Sequence, residues 1–470
     1  MIDGLFSRAE GKTLEFKRDL SSSKPLLKTL VAFANTAGGR LVIGVDDQRQ
    51  VLGVAQPLDD EERLCNLIAD GIAPRLVPNV ELVTVEGKTV LVAEVFVSGS
   101  RPHWLKSEGP EQGVYVRLGS TNRQADTALI EELRRTAEGL AFDEMPMPDL
   151  RMDDLDLVAA QNLFAGKVAL DEKALLTLKL LTPCQGRLTP TKGAVLLFGK
   201  NRTQYFTDAW VQCGRFVGTD KAVIFDHIDI HDHLPLAVDS IMLFLKKHAM
   251  RGADFSEVRR KDVWSIPLTL LREAVINALV HADYSQRGAP VRVAFFDDRI
   301  EIENPGILLP GMTVEDMREG VSKIRNHVIA RVFRELNLIE QWGSGVRRIF
   351  REALEQGLPE PEILELGMRV RVVVRLAQVL PIQQVTEQVT EQVERLLVCL
   401  REGPLSTRKA VECLQLRHRP TFLASYLRPA LSGGWVEMTQ PSAPNSPTQQ
   451  YRLTAKGHGY QAPVEPKPEN

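Results

Sequence analysis

Leu271-Arg-Glu-Ala-Val-Ile-Asn-Ala-Leu-Val-His-Ala-Asp-Tyr284 reads as an apolar helix in which Glu273 and Asn277 stand one turn apart on one face. Side chains four residues apart aim into one pocket, and a carboxylate beside an amide suits ATP chemistry: the carboxylate orients or deprotonates a water, and the amide oxygen coordinates magnesium. The same spacing is common on solvated helix faces, so the segments that follow decide the reading. Arg299-Ile-Glu-Ile-Glu-Asn-Pro-Gly-Ile-Leu308 alternates as a strand and breaks into a Pro-Gly turn. Trp342-Gly-Ser-Gly-Val-Arg-Arg-Ile349 then supplies Gly343 and Gly345, which let backbone N–H groups approach an anion at the expected start of a helix.

Helix, strand-turn and glycine loop in this order resemble the GHKL ATPase fold of gyrase, histidine kinases and mismatch-repair ATPases, in its RecG-like branch, over residues 255–377. The resemblance implies ATP with magnesium, Glu273 as catalytic base, Asn277 as metal ligand, Glu303, Asn304 and Gly306 at the adenine end, and Gly343 and Gly345 in the lid. The chain departs from the family at Glu303-Asn304-Pro305-Gly306, where Asp-x-Gly-x-Gly is usual. The extra methylene of Glu303 moves its carboxylate and Pro305 removes a glycine and a donor, which favours nucleotide binding over fast hydrolysis. A dead nucleotide fold serving as a dimerisation platform is the competing reading, and a homodimer is a candidate assembly on either. Arg325-Asn326 reads as a phosphate contact or a solvated helix start. No Gly-x4-Gly-Lys-Ser/Thr loop exists in the chain, so a P-loop helicase motor is not supported.

The amino terminus carries a second pattern: Glu10-Gly-Lys-Thr-Leu-Glu15-Phe-Lys-Arg18, then Ala32-Phe-Ala-Asn-Thr-Ala-Gly-Gly39, then the apolar run Arg40–Val45 ending in Asp46-Asp47. This is a strand, a helix closed by two glycines, and a strand delivering carboxylates. Crowded carboxylates are costly unless a cation or a basic partner compensates, which makes Glu10, Glu15 and Asp47 a candidate magnesium or manganese centre for phosphodiester attack. A polar turn and a surface strand explain the same residues. The segment resembles the Schlafen, or divergent AlbA-like, domain to about residue 126, within a module of residues 1–135. In animal Schlafens the matching carboxylates form a nuclease centre acting on tRNA-like RNA, so the resemblance implies a DNA or structured RNA partner. Their zinc ligands are not recognisable here. Lys17, Arg18, Arg117 and Arg123 are candidate phosphate contacts or ordinary surface charges.

At the carboxy terminus the repeat Gln384-Val-Thr-Glu-Gln-Val-Thr-Glu-Gln-Val393 reads as a helical linker over 378–395. Helices at Val393–Leu400, Ser406–Leu414 and Arg419–Leu431, then strands Gly433–Met438 and Gln450–Leu453, resemble the winged helix-turn-helix appended to RecG-like proteins, here over 396–460. Residues 396–460 hold eight Lys/Arg against three Glu in a chain of net charge −3. Arg417, Arg419 and Arg428 on or beside the recognition helix are the candidate nucleic-acid contacts, although winged helices also bind proteins.

Residues 150–250 read as an α/β connector with a helix near Asp154–Phe164, an apolar strand Gly193–Gly199 and an amphipathic helix Leu234–His248. Asp226, His227, His231 and His233 mark a polar strand face more readily than a metal site. Met145-Pro-Met-Pro148 reads as a linker and residues 461–470 as a disordered tail. A chain of 470 residues, 44% hydrophobic and 25% charged, is thus expected to be an α+β multidomain protein: Schlafen/AlbA-like domain, connector, Bergerat-type GHKL sandwich and winged helix. Five cysteines without Cys-x-x-Cys spacing indicate neither a disulfide framework nor a zinc ribbon, and without a leader or membrane-length apolar run a cytoplasmic protein is expected. The functional expectation is an ATP-controlled domain that binds, and in the enzyme version cleaves, nucleic acid, by analogy in defence against mobile DNA. The alternative is an ATP-responsive transcription regulator that binds DNA without cleavage.

Overall fold

Alternation in Leu14–Lys17 (β1) puts Leu14 and Phe16 on one face and Glu15 on the other, and helix Ser23–Asn35 (α1) returns the chain to a parallel neighbour, Gly39–Ile43 (β2). The computed structural model describes residues 5–376 apart from 7, 250, 255–260 and 340–344. In the remainder it describes 391–458 apart from 415, 417–421, 428, 429, 432, 433 and 441–448. Asn79–Val85 (β3) and Lys88–Val95 (β4) complete a sheet ordered β1-β2-β4-β3. Leu41, Ile43, Leu91 and Ala93 pack in one core with α1, while Val42, Val90 and Val92 join Leu14 and Phe16 in another. Helix α1 closes where Gly38, at φ 76°, donates to Phe33 O at 2.9 Å; a side chain there would meet Val95 O at 2.8 Å. A helix at Thr127–Ala137 (α2), capped by Asp126 onto Leu129 N at 2.8 Å, ends this region.

The second sheet has six strands: Val211–Phe216 (β5), Ile224–Ile230 (β6), Val291–Phe295 (β7), Arg299–Pro305 (β8), Glu362–Leu366 (β9) and Arg369–Arg375 (β10), in the order β6-β5-β7-β8-β10-β9. Only β5 and β7 pair in parallel. Helices Leu234–His248 (α3), Leu268–His281 (α4), His327–Glu335 (α5) and Gly345–Glu355 (α6) contribute their apolar faces to the core it shares. Two expectations are corrected here. Residues 150–250 are not a separate connector, because β5, β6 and α3 belong to the sheet and core of the α4 region. Gly193–Gly199 is not a strand: Thr191 caps Ala194 N at 3.1 Å and Lys192–Phe198 is a buried helix, an apolar run too short for periodicity to distinguish the two. Asp226, His231 and His233 are dispersed onto Lys247 and His248, Trp210, and Asp156 respectively.

Met145–Pro148 is also not a loose tether. Met147 N donates to Pro190 O at 2.9 Å, and Lys192 N to Met145 O at 2.8 Å. Just before it, fully buried Asp143 caps α5 from 184 residues away, accepting from His327 N at 3.0 Å, Val328 N at 2.7 Å and Ile329 N at 3.0 Å. Asp143→Ala orphans three amides and is expected to cost about 2–3 kcal/mol in urea unfolding; a loss below about 0.5 kcal/mol would refute the capping role. Burial pushes the Asp143 carboxyl up to about 6, against the pull of those amides. A raised folded value means that the native chain holds this proton more tightly, so the stability it adds is full below the unfolded value and lost as pH rises through about 6. Asp143→Asn should flatten that slope between about pH 4 and pH 6, checked by unfolding across a pH series.

Residues 382–470 form a separate compact unit. Glu391–Leu400 (α7), Leu405–Ser406 (β11), Thr407–Cys413 (α8), Val436–Met438 (β12) and Gln450–Leu453 (β13) surround a core of Leu396, Leu397, Phe422, Tyr426 and Tyr451, with strand order β11-β13-β12. Cys399 and Cys413 are joined in a disulfide, a pairing that their fourteen-residue separation did not announce. Among the described residues no helix is long and apolar enough to cross a membrane.

Candidate functional site

Helix α4 places Glu273 and Asn277 on the wall of a cavity of about 280 Å³, at the lower edge of the range for small-ligand sites. Asn277 Nδ2 lies 3.4 Å from Glu273 Oε1, and the other carboxylate oxygen of Glu273 is held by Arg348 of α6. Gly345, the first residue of α6, sits so close that an added Cβ would fall 1.9 Å from Glu273 Oε1, so any larger residue there would displace the Glu273 carboxylate. Ala278, Ile307, Leu308 and Val372 supply apolar wall. Burial pushes His281 down to about 4, so it faces the cavity as neutral imidazole. A polar pair thus stands at one end of an apolar slot, beside a helix N-terminus, and Asn277 is the residue that would hold a divalent ion there. Gly343 lies outside the described residues.

At the other end the strand-turn differs from expectation in a way that alternation explains. Along β8, Ile300 and Ile302 join the helical core and Asn304 lines the cavity, so Glu303 points to the opposite face. There it meets Arg371 at 2.7 Å and Arg369 at 3.0 Å; burial raises its carboxyl, but the two guanidinium groups outweigh that and hold it below the usual range. Glu303 is therefore not an adenine contact in this structure, and the polar group on that wall is Asn304. Gly306, at φ 103°, turns the chain next to Asp283 and Arg325.

The carboxylates expected as a metal centre are not assembled. Buried Glu15 is held by Arg117 and Lys17, Glu10 accepts from Phe16 N at 2.8 Å, and Asp47 is exposed beyond the end of β2. Among the described residues no three His, Cys, Asp or Glu side chains gather as a metal site. Arg117 is likewise no phosphate contact: 1% exposed, it also donates to Gly11 O at 3.0 Å and Asn122 Oδ1 at 2.9 Å. Arg18 and Arg123 are exposed, whereas Arg417, Arg419 and Arg428 lie outside the described residues.

Several contacts that sequence reasoning missed join the amino-terminal region to the cavity. Lys12 meets Glu365 at 2.6 Å, whose other oxygen accepts Leu308 N at 2.8 Å. Gly311 N donates to Thr36 O at 2.7 Å, and Ile307 packs into a core with Val114, Val116 and Leu133. Arg325 is not a solvated helix start: it is buried between Glu132 of α2 and Ile307 O on the wall of the cavity, and burial pulls it down to about 10. The Asn35 amide in the Ala-Phe-Ala-Asn-Thr motif donates to His103 O at 2.9 Å and Tyr115 O at 3.0 Å and accepts His103 N at 2.7 Å, so that motif is a stitch in the fold.

Three family models match: "Schlafen, AlbA_2" over residues 10–126, "Putative ATP-dependent DNA helicase recG C-terminal" over 288–374, and "Filamentation induced by cAMP protein Fic-like, C-terminal domain" over 391–454. No curated protein matches the chain. Among solved structures, a Corynebacterium diphtheriae protein is 19% identical with TM-score 0.42, covering 97% of this chain and 96% of its own. The N-terminal domain of a RecG-related protein from Nitrosomonas europaea is 30% identical with TM-score 0.22, covering 26% of this chain and 90% of its own. A Fic family protein from Desulfovibrio desulfuricans is 17% identical with TM-score 0.14, covering 71% of this chain and 77% of its own. The chain thus carries a Schlafen AlbA_2 domain at residues 10–126 and a RecG-type HATPase match at 288–374.

Proposed function

We propose that this is a nucleic-acid-binding protein whose HATPase domain takes ATP with a divalent ion and thereby sets the state of its Schlafen-type domain. The observation that carries the reading is the segment 307–312: one side lines the nucleotide cavity, the other is tied to the Schlafen-type domain at Thr36 and, through Glu365, at Lys12. A ligand that presses on this wall alters contacts in both domains, which is how a binding free energy becomes a coupling energy. Bound magnesium or manganese would neutralise phosphate charge, with Asn277 as its ligand. Glu273 is placed to orient a water, once its carboxylate leaves Arg348.

Binding without cleavage, as in an ATP-responsive transcription regulator, is favoured over the nuclease because Arg117 and Lys17 already engage Glu15. Exposed Arg18 and Arg123, and the basic carboxy-terminal unit read as a winged helix with Arg417, Arg419 and Arg428, are the proposed phosphate contacts. Purified protein incubated with labelled tRNA, single-stranded DNA and duplex DNA, with and without manganese and ATP, is expected to bind without cutting. ATP should shift the affinity by about 5–150-fold, and Lys12→Ala should shrink that shift. Metal-dependent cleavage lost in a Glu15→Ala/Asp47→Ala double variant would overturn the non-cleaving reading; an ATP-indifferent affinity would overturn the coupling.

A further inference from the structure

A second cavity, of about 400 Å³, lies between the end of α2 and the segment 323–327 and shares Leu309, Lys323, Ile324 and Arg325 with the nucleotide cavity. We propose that it binds a small phosphorylated ligand of up to mononucleotide size, as an effector site on the seam between the Schlafen-type and HATPase domains.

Its cations lead the argument. Arg101, Arg135 and Lys323 line this cavity, and among the described residues none has a carboxylate within 4 Å. Arg101 donates to Ser98 O, Arg135 lies 5.3 Å over the Phe142 ring, and Lys323 donates to Pro310 O at 2.7 Å; these are neutral partners that leave the charges uncompensated. Arg101 and Arg135 are half-buried, and withdrawing a guanidinium from water without a counter-ion is costly unless an anion completes it. The lining holds two carboxylates as well. Glu132 is taken by Arg325, and Asp283 is close enough to act on Arg135 electrostatically, so three cations face one uncommitted acid.

The second line of evidence is unmet hydrogen-bonding capacity. Arg101 Nε, Asn326 Oδ1 and Asp283 Oδ2 are buried with no hydrogen-bond partner, although Asn326 Nδ2 donates to Val280 O at 2.8 Å and Ala282 O at 2.7 Å, and Asp283 Oδ1 accepts Ser285 Oγ at 2.6 Å. Native folds rarely bury such groups unsatisfied, and three around one cavity point to a missing partner. With Glu132 Oε2 also buried and unpartnered, cations clustered beside three bare acceptors match a ligand with a phosphoryl group at one end and hydroxyl or amino donors at the other. The volume suits it, within the range for small-molecule sites.

The test titrates full-length protein by calorimetry with ribose 5-phosphate and AMP, with ribose as the uncharged control. Both phosphorylated probes should bind, ribose should not, and Arg101→Gln/Arg135→Gln should weaken ribose 5-phosphate by about tenfold or more, as expected for two lost charge-assisted contacts. Arg135→Lys, which keeps the charge, should retain most of the affinity, and unchanged circular dichroism separates ligand loss from misfolding. Ribose binding as well as its phosphate, the double variant binding normally, or no heat at about 10 mM probe would each overturn the proposal. Arg101 and Arg135 line this cavity and not the Glu273–Asn277 cavity, so the effect of their substitution is independent of whether the latter takes ATP.

Discussion

Glu273→Gln is expected to lower ATP turnover by about 10²–10⁴-fold while leaving ATP affinity within a few-fold, the signature of a lost general base. The amide keeps the volume of the carboxylate where the Glu273 side chain packs directly against Gly345. It removes the negative charge that Arg348 now holds, so Arg348 should be released rather than the pocket collapsed. Steady-state hydrolysis beside calorimetric ATP binding separates the outcomes. Unchanged turnover would remove Glu273 from the chemistry, and loss of both would show that it builds the pocket. Asn277→Ala should instead weaken the magnesium-dependent part of ATP binding.

Arg117→Ala is the substitution expected to cost most in stability, about 3–5 kcal/mol, because it leaves Glu15 buried without its main counter-charge and strips the caps from Gly11 O and Asn122. Glu15→Ala should cost nearly as much, and the double variant less than the sum, since one interaction is then removed twice. Urea unfolding of the four proteins closes that cycle. Arg123→Ala, on an exposed position of the same hairpin, should leave stability within about 0.5 kcal/mol. Additive losses at Glu15 and Arg117 would mean the two are not partners and would reopen Glu15 as a metal ligand.

These contacts also mark where sequence reading stops. The helix carrying Glu273 and Asn277, the alternation of β8 and the glycine-closed end of α1 are written in local periodicity, and each formed where periodicity placed it. Alternation along β8 also contained the choice of Asn304 over Glu303, because Ile300 and Ile302 had to face the core. Arg348 stood in the quoted glycine segment, three residues after Gly345, one turn into a helix that had to pass Glu273. Glu15 with Arg117 and Asp143 with α5 were not legible: the partners are 102 and 184 residues apart, and charge type alone does not choose among the many cations of the chain. The Asn35-Thr36 pair of the Ala-Phe-Ala-Asn-Thr stretch was likewise not legible, because its hydrogen-bonding partners at His103, Tyr115 and Arg117 lie far along the chain.

The cap that Asp143 places on α5 bears on how such a protein could be assembled over evolutionary time. A proline-rich stretch such as Met145–Pro148 looks like the seam at which modules are exchanged, yet the residue just before it completes a helix belonging to the next module. A recombination event at that seam would deliver an amino-terminal module without its receptor and a HATPase module with three bare amides. Inheritance of the two halves as one block, with shuffling displaced to the boundary near residue 382, is the history this geometry permits.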